Sequence, residues 1–241
     1  MCARITITTT AAEVADLFGL GADVRNAPTG AARYNVAPST FVPVVRVANG
    51  VREVAELRWG LVPHWTAPGG HKVAGYPNAR AETAADKPAF RDPLRLRRCL
   101  IPVNGFFEWK TVGKKKRPYF FHKAGGGPLV FAGVWDRWNG PDGPIDTVAI
   151  LTVPANELVK ELHDRMPAMI EEGRFGRWLD PNETRPAKLL PLLEPYPAER
   201  MERRPVGDRV NRVTEEGADL LNCVEEPLAP AWTQPSLFDV A

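Results

Sequence analysis

Residues 41–59, FVPVVRVANGVREVAELRW, decide the fold class. Phe41 to Ala48 is a run of β-branched residues, and Val51 to Trp59 is a second extended run. Asn49-Gly50 between them is the dipeptide favoured where a two-residue turn requires positive φ at both positions. A β-hairpin is therefore expected at the centre of the first half of the chain. Proline (24) and glycine (20) are plentiful, so many short elements joined by turns are expected rather than long helices.

Outward from the hairpin, residues 3–9 read as a short strand. Thr10 and Glu13 have capping-box spacing ahead of a helix through Val14, Leu17 and Phe18, which ends at Gly19 or Gly21. Residues 22–32 read as loop, residues 60–65 as an aromatic loop, and 66–77 as a glycine- and proline-rich connection. A helical stretch runs from Asn78 to about Asp86, with Pro88 as its stop. Arg98 to Trp109 reads as a strand and the basic run Lys114 to Arg117 as a loop. Tyr119 to Lys123 and Leu129 to Trp135 read as a strand pair, and Asp146 to Val153 as a buried strand. Asn156 caps a helix over Glu157 to Leu162, followed by a strand over Ala168 to Ile170. Short helices are expected near Arg174–Leu179 and Glu183–Leu193, an extended segment over 200–213, and a last helix from Thr214 to Leu221. Strands in the middle with helices around them make the class α+β. Residues 1–224 are expected to form a single domain, and 225–241, rich in Glu, Pro and Ala, a flexible tail.

Composition narrows the function. A hydrophobic fraction of 44% and a charged fraction of 25% are those of a globular protein. No apolar run approaches the ~18–20 residues of a membrane span, and the start lacks the basic-then-apolar pattern of a secretory signal. Cys2, Cys99 and Cys223 are odd in number and far apart, as are His64, His71, His122 and His163. Neither a disulfide framework nor a metal site is expected, and the cysteines point to a reducing cytoplasm. A net charge of +2 is small for a protein that grips long duplex DNA.

Several stretches carry chemistry. If Met1 is removed, Cys2 presents an α-amine and a thiol on one residue. This 1,2-aminothiol adds to an aldehyde as a Schiff base and closes to a thiazolidine. The amine's pKa of about 7.7–8.0 leaves much of it neutral at physiological pH. Glu108 sits between aromatics in Gly105-Phe106-Phe107-Glu108-Trp109, where burial would raise its pKa and suit it to proton transfer. His163 ends a helix beside an apolar strand. Asn78-Ala79-Arg80 opens a helix. Trp65, on a loop among glycines and prolines, is placed to stack on a base. Taken singly, each stretch has an ordinary structural reading as a cap, a core aromatic or a solvated charge.

Together these stretches resemble one family. Met1-Cys2-x-Arg4, Arg33 to Pro38, Trp59-Gly60-Leu61, Asn78-Ala79-Arg80-x-Glu82-Thr83, Glu108-Trp109 and His163-Asp164-Arg165-Met166-Pro167 appear in the order and spacing of the SOS-response-associated peptidase (SRAP) group, the abasic-site processing proteins. The likeness runs over about residues 2–222. Ala3 departs from it, standing where the family usually has glycine.

The resemblance implies strongly curved mixed and antiparallel sheets in an open, barrel-like core flanked by short helices. It implies a monomer that binds single-stranded DNA at abasic sites and links Cys2 to the ring-opened sugar, with no cofactor. By motif, Asn78 would hold the cysteine, Glu108 would move protons, and His163 would act on the sugar oxygen. Arg4, Arg80 and Arg165 would contact phosphates. Trp65 and Pro38 would wedge against bases, with Trp109 beside them, and Asn35 and Thr152 would line the pocket. The protein would be cytoplasmic and nucleoid-associated when bound. In the tail, Gln234, Leu237 and Phe238 resemble the peptides that dock on the replication sliding clamp. Two other function classes fit the same residues. One is a thiol peptidase that uses Cys2 and His163 to remove Met1. The other is a non-covalent single-strand binder.

Overall fold

The computed structural model describes residues 3–21, 30–68 and 75–225. In chain order the strands are β1 (Ile5–Ile7), β2 (Arg33–Val36), β3 (Phe41–Ala48), β4 (Val51–Trp59), β5 (Asn78–Arg80) and β6 (Arg98–Val103). They continue as β7 (Gly105–Val112), β8 (Lys115–Lys123), β9 (Leu129–Gly140), β10 (Gly143–Pro154), β11 (Arg165–Pro167) and β12 (Met201–Pro205). One sheet is antiparallel throughout, in the order β12-β8-β7-β1-β2.

The second sheet closes on itself. β3 pairs with β4 across the Asn49-Gly50 turn and with β6 on its other side, and β6 pairs with β9. β9 then pairs with β10 along a long hairpin, and β10 runs parallel to β4 through Thr147↔Arg58 and Val148↔Trp59. The barrel expected to be open is thus a closed five-strand ring. Beyond the end of β4, the same β10 takes up β5 in parallel and β11 in antiparallel pairing.

Closure depends on one tight crossing. Gly60 has φ 129°, and its carbonyl would lie 2.0 Å from a Cβ built on Gly75, so neither position tolerates a side chain easily. The chain leaves β4 there and returns through the Leu61–Tyr76 bridge to begin β5. The core lies between the two sheets and within the ring, with Ile5, Phe106 and Phe121 from the first sheet and Leu100, Phe131 and Ile150 from the second. Buried Trp178 donates from Nε1 to the carbonyl of Cys99.

The helices are short. α1 (Ala11–Phe18) starts with the expected capping box of Thr10 and Glu13 and ends at Gly19 in the left-handed region. α2 (Ala81–Ala84) stops early, and Pro88 opens α3 (Pro88–Leu96). The sequence pattern makes Pro88 a stop. Its ring lacks an N–H that the first turn does not use, so it begins a helix as readily as it ends one. α4 (Glu157–Lys160) is capped by Asn156, whose Oδ1 accepts from the Val159 N–H at 3.0 Å.

Four other readings are corrected. Arg98 to Trp109 is two strands broken at Asn104, which accepts from the backbone N–H groups of Thr8 and Thr9. The basic run is not a loop but the turn and first residues of β8. The strand placed at Ala168–Ile170 is Arg165–Pro167. The last helix is one 3₁₀ turn, Ala218–Leu221. The tail from 226 lies outside the described residues.

Candidate functional site

Glu108 lies on β7, opposite Tyr119 of β8. Strand alternation puts Phe107 and Trp109 on one face and Phe106 and Glu108 on the other, which faces the core. The motif's glycine is needed for this. A Cβ at Gly105 would lie 2.3 Å from the Phe120 ring and 2.4 Å from the Phe121 carbonyl. Glu108 is only 4% exposed. Burial, helped by the charge of Asp164, pushes its carboxyl up to about 7. A buried carboxyl that titrates near neutrality can both take and give a proton.

The influence of Asp164 ties β7 to the second sheet. There β5 sets Asn78 beside Ile150 and Arg80 beside Thr152, while β11 sets Pro167 beside Thr152. The turn into β11 holds His163. The Arg165 N–H donates to Nδ1 of His163 at 2.9 Å, and the Asp164 carboxylate lies 3.0 Å from the same nitrogen. Burial holds His163 below its ordinary pKa. Asn78, Arg80 and Thr152 therefore share the β5-β10-β11 edge of the second sheet with the His163 turn, and the charge of Asp164 in that turn acts on Glu108 of β7, which marks the seam between the two sheets.

The chain's beginning reaches the same seam. β1 pairs with β7 through Ile5↔Phe106, and the Phe107 N–H donates to the Arg4 carbonyl at 3.0 Å. Ala3 is exposed. Cys2 lies outside the described residues.

The arginines divide into two kinds. Arg80 is exposed. Arg165 is buried and clasps Glu82 with two nitrogens at 2.5 and 2.8 Å, while also donating to the Thr152 carbonyl. Arg4 is buried and donates to Asn35 Oδ1 at 2.6 Å and to the Val210 carbonyl at 2.7 Å, with its guanidinium over the Trp109 ring. Arg4 and Arg165, read as phosphate ligands, thus each direct donors at protein groups. Asn35, read as lining the pocket, is 2% exposed and binds the carbonyls of Arg212 and Glu215. Thr152 is fully buried and donates to the Ala79 carbonyl at 3.3 Å.

Trp65 and Pro38 lie on loops rather than in the seam. Trp65 is 59% exposed. Its loop is pinned by the buried Asp136 carboxylate, which accepts from the His64 N–H at 2.9 Å and contacts the His64 ring and Arg97. Pro38 is half-buried in the turn between β2 and β3, and Trp109 is half-buried with Nε1 donating to Asn211. Gln234, Leu237 and Phe238 lie outside the described residues.

The sequence had assigned no role to Glu82, Asp164 or Asp136. The first two stand inside quoted motifs, so their position was visible but their partners were not. Among the described residues, no group of three or more His, Cys, Asp or Glu is placed to hold a metal. Among the same residues, no helix is long and apolar enough to cross a membrane.

Comparison with known proteins identifies the family. A family model described as SOS response associated peptidase (SRAP) matches residues 1–213. The Bacillus subtilis abasic site processing protein YoqW is 36% identical over 227 residues, covering 92% of this chain and 99% of that one. The Gallus gallus abasic site processing protein HMCES is 31% identical, covering 80% of this chain and 66% of that one. A crystal structure of a protein from Bacteroides thetaiotaomicron superposes with a TM-score of 0.80 at 25% identity, over 93% of this chain and all of the other. The chain belongs to the SOS response associated peptidase (SRAP) family.

Proposed function

We propose that this protein binds single-stranded DNA at abasic sites and links itself covalently to the lesion through Cys2 once Met1 has been removed. The α-amine of Cys2 adds to the aldehyde of the ring-opened sugar, and loss of one water gives the imine. The thiol sulfur then adds to the imine carbon and its proton ends on the nitrogen, which closes a thiazolidine. Each step moves a proton and consumes no oxidant or reductant.

The observation that carries this reading is Glu108, a buried carboxyl with its pKa at about 7, on the strand that pairs with the one Cys2 leads into. In this reading Glu108 relays protons between amine, thiol and departing water. His163, with a proton on Nε2, donates to the sugar oxygen. The names of the relatives support an abasic site as the target.

The test is incubation with an oligonucleotide bearing an abasic site, followed by denaturing electrophoresis. The wild type is expected to give a denaturation-resistant adduct. Cys2→Ala should give none, and neither should a lesion analogue without an aldehyde. An equal adduct from Cys2→Ala sinks the proposal.

The family description favours one second reading, in which Cys2 is a thiol nucleophile that releases Met1. Mass spectrometry of protein produced while methionine aminopeptidase is inhibited decides it. Retained Met1 there removes this second reading and leaves the first intact.

A further inference from the structure

The basic run near the middle of the chain has no part in the lesion chemistry. Residues 110–117 hold five cations, Lys110, Lys114, Lys115, Lys116 and Arg117, and no acid. The whole chain carries +2, so everything outside this hairpin is net negative. The lysines are exposed and Arg117 is half-buried.

The hairpin differs from the other basic positions in what surrounds it. Arg46 pairs with Glu53 and Asp146, Arg165 with Glu82, Arg203 with Glu161, and Arg209 with Glu215 and Asp219. Among the described residues, none of the five hairpin cations forms an ion pair. Asp208 and Glu225 border the same groove as Lys115 and Arg117 without pairing with either.

Register connects this charge to the seam. Glu108 stands opposite Tyr119, Lys110 opposite Arg117, and Val112 opposite Lys115. Side chains two residues apart on a strand share a face and are spaced by about 6.8 Å. The face that carries Glu108 therefore continues outward as Lys110 with Arg117, and then as Lys115. Cations placed at that step along a hairpin suit successive phosphates of an extended strand. Lysines on flexible stems suit contacts that carry no base preference.

We infer that the β7–β8 hairpin is a phosphate-binding arm that takes the backbone of a single-stranded nucleic acid where it leaves the lesion site. The inference rests on the proposed function for the location of that site. The arm neutralises phosphates remote from the reacting sugar, so it makes affinity depend on strand length and on salt.

The test uses undamaged, labelled single strands and needs no adduct. Fluorescence anisotropy is measured for strands of about 6 and about 20 nucleotides, near the lower end of and beyond the roughly 4–16 nucleotides of an ordinary single-strand site. The triple variant Lys110→Gln, Lys115→Gln, Arg117→Gln is compared with wild type over a salt series. Wild type is expected to bind the longer strand more tightly. The variant should lose that advantage, and its slope of log affinity against log salt should fall by about 2, at roughly 0.7 per lost contact. Short-strand affinity should be unchanged, which also shows that the variant is folded. An unchanged slope on the longer strand overturns the inference, as does a wild type with no length preference. Adduct formation is read in parallel with an abasic strand. If wild type forms no adduct while the salt slope still falls in the variant, the covalent reading fails and the arm stands.

Discussion

The backbone N–H of Arg165 donates to Nδ1 of His163 across 2.9 Å. A ring nitrogen that accepts carries no proton, so this bond favours a neutral imidazole with its proton on Nε2, against the pull of the Asp164 carboxylate 3.0 Å from the same nitrogen. The same turn orients the ring, and burial lowers the pKa below 6.5. Protonation then favours the unfolded chain. The contribution of His163 to stability is intact above pH 6.5 and is lost as pH falls toward its depressed folded pKa. Nitrogen-detected NMR titration should show the Nε2–H tautomer and a midpoint below 6.5. A Nδ1–H tautomer, or a midpoint above that value, contradicts the assignment. His163→Asn keeps an acceptor for the Arg165 N–H and should fold normally while losing this titration.

Glu108 works in the opposite direction. Its carboxyl is raised from 4.5 to about 7, chiefly by burial. The neutral form is favoured in the fold, so its contribution is fully present below pH 4.5 and is lost as pH rises through about 7. Glu108→Gln removes this dependence. From pH 5 to pH 8 the variant should gain on wild type by on the order of 1–3 kcal/mol in urea unfolding. A difference that is flat across this range would show that the carboxyl is already ionised in the fold. The rate of adduct formation in wild type should carry an inflection near neutrality that Glu108→Gln lacks.

Arg4 and Asn35 form a joint between the two ends of the domain. Arg4 Nη1 donates to Asn35 Oδ1, and Asn35 Nδ2 donates to the Arg212 and Glu215 carbonyls, each at 2.9 Å. Asn35→Ala leaves a buried guanidinium and two carbonyls short of partners. It is expected to cost about 2–4 kcal/mol, read as a lowered urea midpoint. A variant of unchanged stability with weakened DNA binding would return Asn35 to a role as a ligand of the nucleic acid.

Local features were legible in the sequence where one short-range rule decided them. The Asn49-Gly50 hairpin, the Thr10–Glu13 capping box and the Asn156 cap all lie where turn and cap chemistry put them. Glu108 was legible because aromatics on both sides announce burial. Pro88 misled because the same ring geometry serves a helix's first turn and its termination. Ring closure was not legible, since β10 meets β4 in parallel across almost ninety residues and neither strand encodes its neighbour. The partners of the arginines were hidden for the same reason. Arg165 finds Glu82, and Arg4 finds Asn35 and the Val210 carbonyl, only once distant strands lie side by side. Neither the partner of Arg4 nor that of Arg165 is adjacent in sequence, so each arginine looks free until the fold supplies its partner.

Trp65 and Arg80 are the positions at which binding should separate from stability. Trp65 is 59% exposed, and Arg80 is exposed on a strand otherwise buried at Ala79. Neither replacement opens a cavity. Trp65→Ala and Arg80→Ala should each leave the urea midpoint within about 0.5 kcal/mol of wild type. Their effects on nucleic acid should differ in kind. A stacking loss at Trp65 is expected to weaken single-strand binding by about 1–3 kcal/mol with the salt slope unchanged. Loss of the Arg80 charge should weaken binding and lower the slope by about 0.7. Anisotropy titrations at three salt concentrations distinguish the two. Equal slopes for Arg80→Ala and wild type would mean that Arg80 touches no phosphate. A lowered slope for Trp65→Ala would mean that its loop acts through charge rather than through the ring.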